Sequence, residues 1–224
     1  MVHRLRCDNG RTTRRLSQTE VKTLKFLENY PKISVPKVLR DWVDSDGRYF
    51  ALTERMKGQT LDEVWSSLSE TQKNSIADEV VAVRRNLRSI TSNAIQDVDR
   101  NATRIWLLCY DLFDSVPYGP FHSDELWDAI SNSLQRYGMH VPSLQVPKKV
   151  LDDMKKRMPK CEPYVLTHCD LNVCNIMVQD GKLVGILDWE YAAFLPIWHE
   201  YVSTLWVWTD DDCEWKKLVT FRSG

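Results

Sequence analysis

The sequence predicts a two-lobed α+β fold, with a small strand-rich lobe over residues 1–56 and a larger, mainly helical lobe over residues 57–224. Three observations carry that expectation. Short apolar runs separated by turn residues fill the first lobe. Apolar residues at helical spacing dominate the second. Strand-like runs then return within residues 164–191 and deliver polar residues to their ends. A chain of 224 residues suits one large domain or two small lobes sharing a cleft.

Residues 2–7 set Val2, Leu5 and Cys7 against His3, Arg4 and Arg6, an imperfect alternation that suits a short strand. The polar residues 8–15 read as a loop. Ser17, with Glu20 three positions on, has the capping-box signature, and Val21, Leu24, Phe26 and Leu27 form an apolar helical face ending before Pro31. Residues 35–39 and 48–56 flank the turn Asp44-Ser45-Asp46-Gly47 and read as adjacent antiparallel strands.

Gly58 interrupts the pattern, and Thr60 caps a short turn carrying Leu61, Val64, Trp65 and Leu68. Residues 69–90 place Ile76, Val80, Val83 and Leu87 on one face of a long helix, with Arg84, Arg85 and Arg88 expected on its solvated face or beside an anionic substrate. Residues 91–120 have weak periodicity and turn at Tyr118-Gly119-Pro120, and residues 123–137 and 146–158 read as helices. Residues 198–208 bring Tyr201, Leu205 and Trp208 onto one face, where aromatic residues are expected to be core.

The chemistry concentrates in residues 164–191. One apolar run ends in His168-Cys169-Asp170, Asn175 opens a second that turns at Asp180-Gly181, and a third runs into Asp188-Trp189-Glu190. An Asp, an Asn and a second Asp at strand ends are what metal-dependent phosphoryl transfer needs: Asp170 to orient or deprotonate a hydroxyl, and Asn175 with Asp188 to hold Mg²⁺ against nucleotide phosphates. The competing reading is a β-hairpin whose turns favour Asp and Asn.

A net charge of -1 with 27% charged residues offers no basic field for nucleic acid or an anionic membrane. The most apolar stretch, residues 192–208, is interrupted by His199 and Glu200 and is too short to span a bilayer. Six cysteines (Cys7, Cys109, Cys161, Cys169, Cys174, Cys213) form no CxxC pair, and no signal-peptide core follows Met1, which suits a reducing, cytoplasmic setting. Cys169 and Cys174 read as buried apolar thiols, with zinc ligation alongside His168 as the lesser alternative.

The spacing His168-x-Asp170-x-x-x-x-Asn175, with Leu171, Ile176 and the later Asp188-Trp189-Glu190, resembles the catalytic loop and metal-binding aspartate of the aminoglycoside phosphotransferase family, most closely its fungal branch. Cys169 stands where that family usually has glycine. Gly58, Thr60, Leu61 and Trp65 resemble the motif that follows its linker. The resemblance implies a protein-kinase-like two-lobe fold with a truncated N-terminal β lobe. It also implies ATP-dependent transfer of a phosphoryl group to a small-molecule hydroxyl, with ATP and Mg²⁺ as cofactors.

Residues 2–7 and the following helix would then be the family's third strand and glutamate-bearing helix. Glu20 would pair with Arg4 or His3, where the family has lysine, unless it only caps its helix. Glu54, Arg55 and Met56 fall on the linker whose backbone binds adenine, so Glu54 and Met56 are cofactor-binding candidates. His168 would serve beside Asp170 as loop scaffold. On this alignment the glycine-rich hairpin has no counterpart, since Gly10 follows the first strand, and weak ATP binding with low turnover is expected. The alternative function is a kinase-like protein with lost or repurposed activity, acting as a binding module or in small-molecule biosynthesis.

Overall fold

Strand-forming residues at the start of the chain pair locally in the computed structural model, which describes residues 4–8, 11–103, 119–122, 125–140 and 146–222. The expectations placed on Val2, His3, Gly10, Cys109, Tyr118 and Ser123 lie outside these described residues. Strands β1 (Arg4–Asp8), β2 (Val38–Val43) and β3 (Tyr49–Thr53) form an antiparallel sheet in the order β1-β3-β2, with Arg4 opposite Thr53. The β2–β3 turn closes because Asp44 Oδ1 accepts from Asp46 N (3.0 Å) and Arg48 N (2.9 Å), the Asx geometry that Asp favours. The strand expected at residues 35–39 begins only at Val38, since Pro36 has no N–H to pair.

Helix α1 (Arg11–Leu27) lies against this sheet. It corrects the expected loop at residues 8–15 and the expected cap at Ser17, which falls inside the helix. The polarity of Arg11-Thr12-Thr13-Arg14-Arg15 suggested a loop, yet arginine is a good helix former, and each residue added to a nucleated helix gains a backbone hydrogen bond. Leu24 and Leu27, each 1% exposed, reach past the sheet into the main core.

The connection from the sheet runs through β4 (Gln59–Thr60) into α2 (Leu61–Val64), where Thr60 N donates to Glu63 Oε2 at 3.0 Å. Helix α3 (Glu70–Arg88) is capped by Ser69, whose hydroxyl accepts from Gln72 N. Ile76, Val80, Val83 and Leu87 are buried as the period predicts, and so is Arg84, contrary to the solvated face expected for it. Position 84 follows Val80 by four, so it shares the buried stripe. Burial lowers the Arg84 pKa, against which the Glu200 carboxylate acts. Arg85 is exposed and Arg88 half-buried.

Beyond the two-residue β5 (Thr91–Ser92) come α4 (Glu125–His140), α5 (Lys148–Arg157), β6 (Tyr164–Thr167), β7 (Ile176–Gln179), β8 (Lys182–Ile186), β9 (Ala193–Pro196), α6 (His199–Ser203) and α7 (Asp210–Phe221). They add two small sheets, β4-β7-β8 and β5-β6-β9. No helix among the described residues is long and apolar enough to cross a membrane. Tyr201, Leu205 and Trp208 are 49%, 64% and 66% exposed, which corrects their expected place in the core. Helix α6 lasts only five residues, so the helical face drawn through residues 198–208 is never formed.

Candidate active site

Two chain segments far apart in sequence end at one place. Strand β6 is buried along its length and runs into His168, Cys169 and Asp170, while the β7–β8 hairpin leads out of Asn175 and back to Leu187 and Asp188. Leu187 N donates to Asn175 O at 2.8 Å, and His168 Nε2 meets Leu187 O at 2.8 Å. Because Asp170 N donates to His168 Nδ1 (3.1 Å), a neutral ring with its proton on Nε2 satisfies both bonds. His168 is fully buried, edge-on to Trp189 at 4.5 Å, so it joins the two ends and is shielded from solvent.

Asp170 is held by amides. Asn172 Nδ2 donates to its Oδ1 at 2.9 Å, and Asn175 Nδ2 donates to its Oδ2 at 3.1 Å and its backbone carbonyl at 2.9 Å. Burial raises the Asp170 pKa above the ordinary carboxylate value, and repulsion from Asp188 acts in the same direction. His168, the Asn172 hydrogen bond and the Lys216 ammonium oppose it. A carboxylate with raised proton affinity is better matched to accepting a proton near neutral pH.

Contacts from afar hold the loop, and sequence reasoning did not single them out. Glu200 Oε2 accepts from His168 N (3.0 Å), Trp215 Nε1 donates to Leu171 O (2.9 Å), and Asp212 Oδ1 accepts from Val173 N (3.4 Å). Glu200 lies 32 positions from His168, a separation that carries no local signal. Asn172, two positions after Asp170, was within reach of a motif reading. Cys169 (φ 73°) and Asp188 (φ 60°) both occupy the left-handed region, at a cost of roughly 1–2 kcal/mol for a residue with a Cβ. Strain on both sides of the junction persists because these hydrogen bonds over-determine it.

A cleft of about 360 Å³ opens on the Asp188 side, lined by Glu20, Glu54, Met56, Gly58, Leu187 and Asp188 among others. Three of the four residues assigned from sequence to nucleotide binding therefore line one cavity. The fourth, Arg4, is placed by β1 opposite Thr53, which also lines the cleft. Asn175 and Asp188 are hard oxygen donors of the kind Mg²⁺ prefers. No group of three His, Cys, Asp or Glu among the described residues could hold a metal alone, so such an ion needs phosphate oxygens and water to complete its shell.

On the other side of Asp170 lies a second, smaller pocket, bordered by Cys169, His199, Val202, Trp206 and Lys216. The Cys169 thiol is buried there with its pKa raised, chiefly by burial. Cys174, expected to be buried, is exposed and donates to Asp62 Oδ2 at 3.5 Å.

Comparison with known proteins agrees with this arrangement. The streptomycin–ATP complex of APH(2'')-IIa superposes with a TM-score of 0.60 at 15% identity, covering 99% of this chain and 70% of that one. A thermostable mutant of aminoglycoside phosphotransferase APH(4)-Ia gives 0.62 at 14% identity (98% and 71%), and ADP-bound APH(2'')-Ib gives 0.61 at 14% (99% and 70%). At these identities the likeness establishes the kinase-like fold. No curated protein matches the sequence. The model of the APH phosphotransferase enzyme family matches residues 5–217, nearly the whole chain and every site residue described above except Arg4, and the chain belongs to that family.

Proposed function

We propose that this chain transfers the γ-phosphoryl group of ATP to a hydroxyl of a small molecule, with nucleotide in the larger cleft and acceptor in the pocket beside Asp170. The observation that carries this reading is the placement of Asp170: its carboxylate is oriented by two asparagine amides and borders the acceptor-side pocket, and its loop is tied through His168 to Leu187, next to Asp188 in the cleft lining. The lobes divide near residue 56, and the linker that joins them walls the cleft.

In the step itself, a bond forms between the acceptor oxygen and the γ-phosphorus as the bond from phosphorus to the bridging oxygen of ADP breaks. Asp170 orients the hydroxyl and takes its proton. Asn175 and Asp188 would hold Mg²⁺, which supplies charge neutralisation at the phosphate oxygens. The Asn175 amide nitrogen is committed to Asp170, so its Oδ1 is the atom left to accept or to ligate. His168 keeps the Asp170 loop in register with Asp188 through Leu187. Glu54 and Met56 offer linker backbone to the adenine, and Glu20 with Arg4 belongs to the phosphate end. Positioning and electrostatics are nearly all that phosphoryl transfer takes from a protein, and both depend on these contacts.

Calorimetry of ATP binding with and without Mg²⁺ tests the assignment. Binding should require the ion, and Asp188→Ala should weaken it at least about tenfold, the loss of one charge-assisted ligand. Equal affinity of wild type and Asp188→Ala for Mg-ATP would remove the assigned role.

A further inference from the structure

Helix α7 grips the catalytic loop at two points, and Asn172 lies between them. Trp215 Nε1 donates to Leu171 O at 2.9 Å, and Val173 N donates to Asp212 Oδ1 at 3.4 Å. Asn172 is a residue whose side-chain amide orients Asp170, and its own Oδ1 accepts from Cys174 N at 3.0 Å. With both its neighbours held by α7, Asn172 has little freedom to slide or turn.

Asp212 is 1% exposed and shares its two oxygens among three donors. Besides Val173 N on Oδ1, its Oδ2 accepts from Trp208 N (3.2 Å) and lies 2.9 Å from the Lys216 ammonium, which is itself buried and also donates to Trp206 O. One carboxylate therefore references the catalytic loop and the 206–208 segment to each other, and both border the small pocket beside Asp170. A place in the first turn of α7 favours the anion. Buried ion pairs contribute little net stability, because desolvation offsets their attraction, and an apolar pair of similar volume packs as well. What an apolar pair cannot supply is an acceptor for Val173 N and Trp208 N.

We propose that Asp212 and Lys216 are positioning residues, which hold the loop at Val173 and so fix, through Asn172, where the Asp170 carboxylate points. Lys216 neutralises the buried carboxylate and orients it. This rests on the phosphotransferase reading for what Asp170 then does, but not for the hold on the loop. Under that reading a small misplacement of Asp170 slows transfer, since geometry is most of what the protein supplies. Nucleotide binding is spared, because neither Asp212 nor Lys216 is among the described residues that line the larger cleft.

Amide hydrogen exchange followed by NMR in the full chain, without nucleotide, tests the hold. Asp212→Leu together with Lys216→Met removes the acceptor and both charges. The exchange rate of Val173 N, taken as a ratio to that of Val80 N on the buried face of α3, is expected to rise at least about tenfold, the loss of one hydrogen bond to a charged group. A purely structural role would raise both rates together and leave the ratio unchanged. Should that variant misfold, Asp212→Asn together with Lys216→Met keeps the shape. Its single carbonyl oxygen can serve only one of Val173 N and Trp208 N, so the ratio rises for the other. Turnover is read separately as ADP release from Mg-ATP, with kcat expected to fall at least about tenfold at unchanged KM for ATP. Ratios unchanged in both variants, a raised ratio with unchanged kcat, or a KM that rises in step with the loss of kcat would overturn the proposal. No turnover by the wild type, beside a raised ratio in the variants, would count against phosphoryl transfer and leave the hold on the loop standing.

Discussion

Asp170 sits among groups that pull its proton affinity in opposite directions, and burial wins. An unfolded aspartate titrates near about 4. In the native state the value is higher, so between the two the folded chain keeps a proton that the unfolded chain has released. Stability therefore falls as pH rises through that window, and the full cost persists above it. Asp170→Asn removes the buried charge while keeping the shape. The expected result is turnover reduced by about 10²–10⁴-fold, the usual share of a general base, without a gain in melting temperature at pH 7, because the new NH₂ group faces the amide of Asn172 or Asn175 and offsets the lost buried charge. Wild-type turnover should rise with pH on an acid limb lying above the ordinary carboxylate range. Thermal melts and ADP-release rates check both, and an unchanged rate in the variant would discard the base assignment. At this scale the motif was legible, because Asp170, Asn175 and Asp188 stand in order between apolar runs. The backbone at Cys169 was not: its positive φ and its buried thiol follow from a junction made by residues far along the chain.

Among the elements, the two-residue β4 is entered through a close backbone approach. Gly58, at φ 91°, enters β4 so close to β7 that a Cβ would lie 2.2 Å from Val178 O. Backbone cannot yield as a flexible side chain can, and the conformation disfavours any residue with a Cβ. Gly58→Ala should therefore destabilise the chain by about 2–4 kcal/mol in urea unfolding and weaken Mg-ATP binding, because the same residue lines the cleft. Unaltered stability would mean that β4 can move off β7 freely. Periodicity located α3 and the β2–β3 hairpin, where local pattern and tertiary burial agree. It failed at Arg84, which shares the stripe of Val80 and Leu87, and along residues 198–208, where one face was drawn through a helix that stops at Ser203. Helical spacing says which residues share a face, and only the neighbouring elements say whether that face is covered.

Across the whole molecule the main core runs continuously from α1 to α7. Leu24 and Leu27 belong to the same buried cluster as Trp65, Tyr164, Trp189 and Trp215, with Trp65 and Trp215 edge to face at 6.2 Å. Ser34 reinforces the join, its hydroxyl donating to Val184 O (2.7 Å) and its carbonyl accepting from Ile186 N (3.1 Å). Fully burying each such side chain contributes roughly 1.5–3 kcal/mol, so the helix of the small lobe is not stable apart from the large one. A single cooperative transition is expected, with tryptophan fluorescence and far-UV circular dichroism coinciding in urea. Two separated transitions would show lobes that unfold independently.

By itself the sequence determined the loop after His168, the hairpin that leads to the second carboxylate and the order of the longer strands and helices as far as β8. Each is specified by turn chemistry and by an apolar period that is legible within about 11–18 residues. Only the tertiary structure decided how Asp170 and Asp188 are joined, through His168 and the Leu187 carbonyl, and that Glu200, Trp215 and Asp212 hold the loop. It alone decided that tryptophans expected in the core border the pocket beside Asp170, together with His199, whose ring nitrogens find no hydrogen-bond partner among the described residues. These partners lie some 30 to 45 positions from the loop. Whether a side chain at such a distance is buried, paired or left open depends on which surfaces the fold brings together.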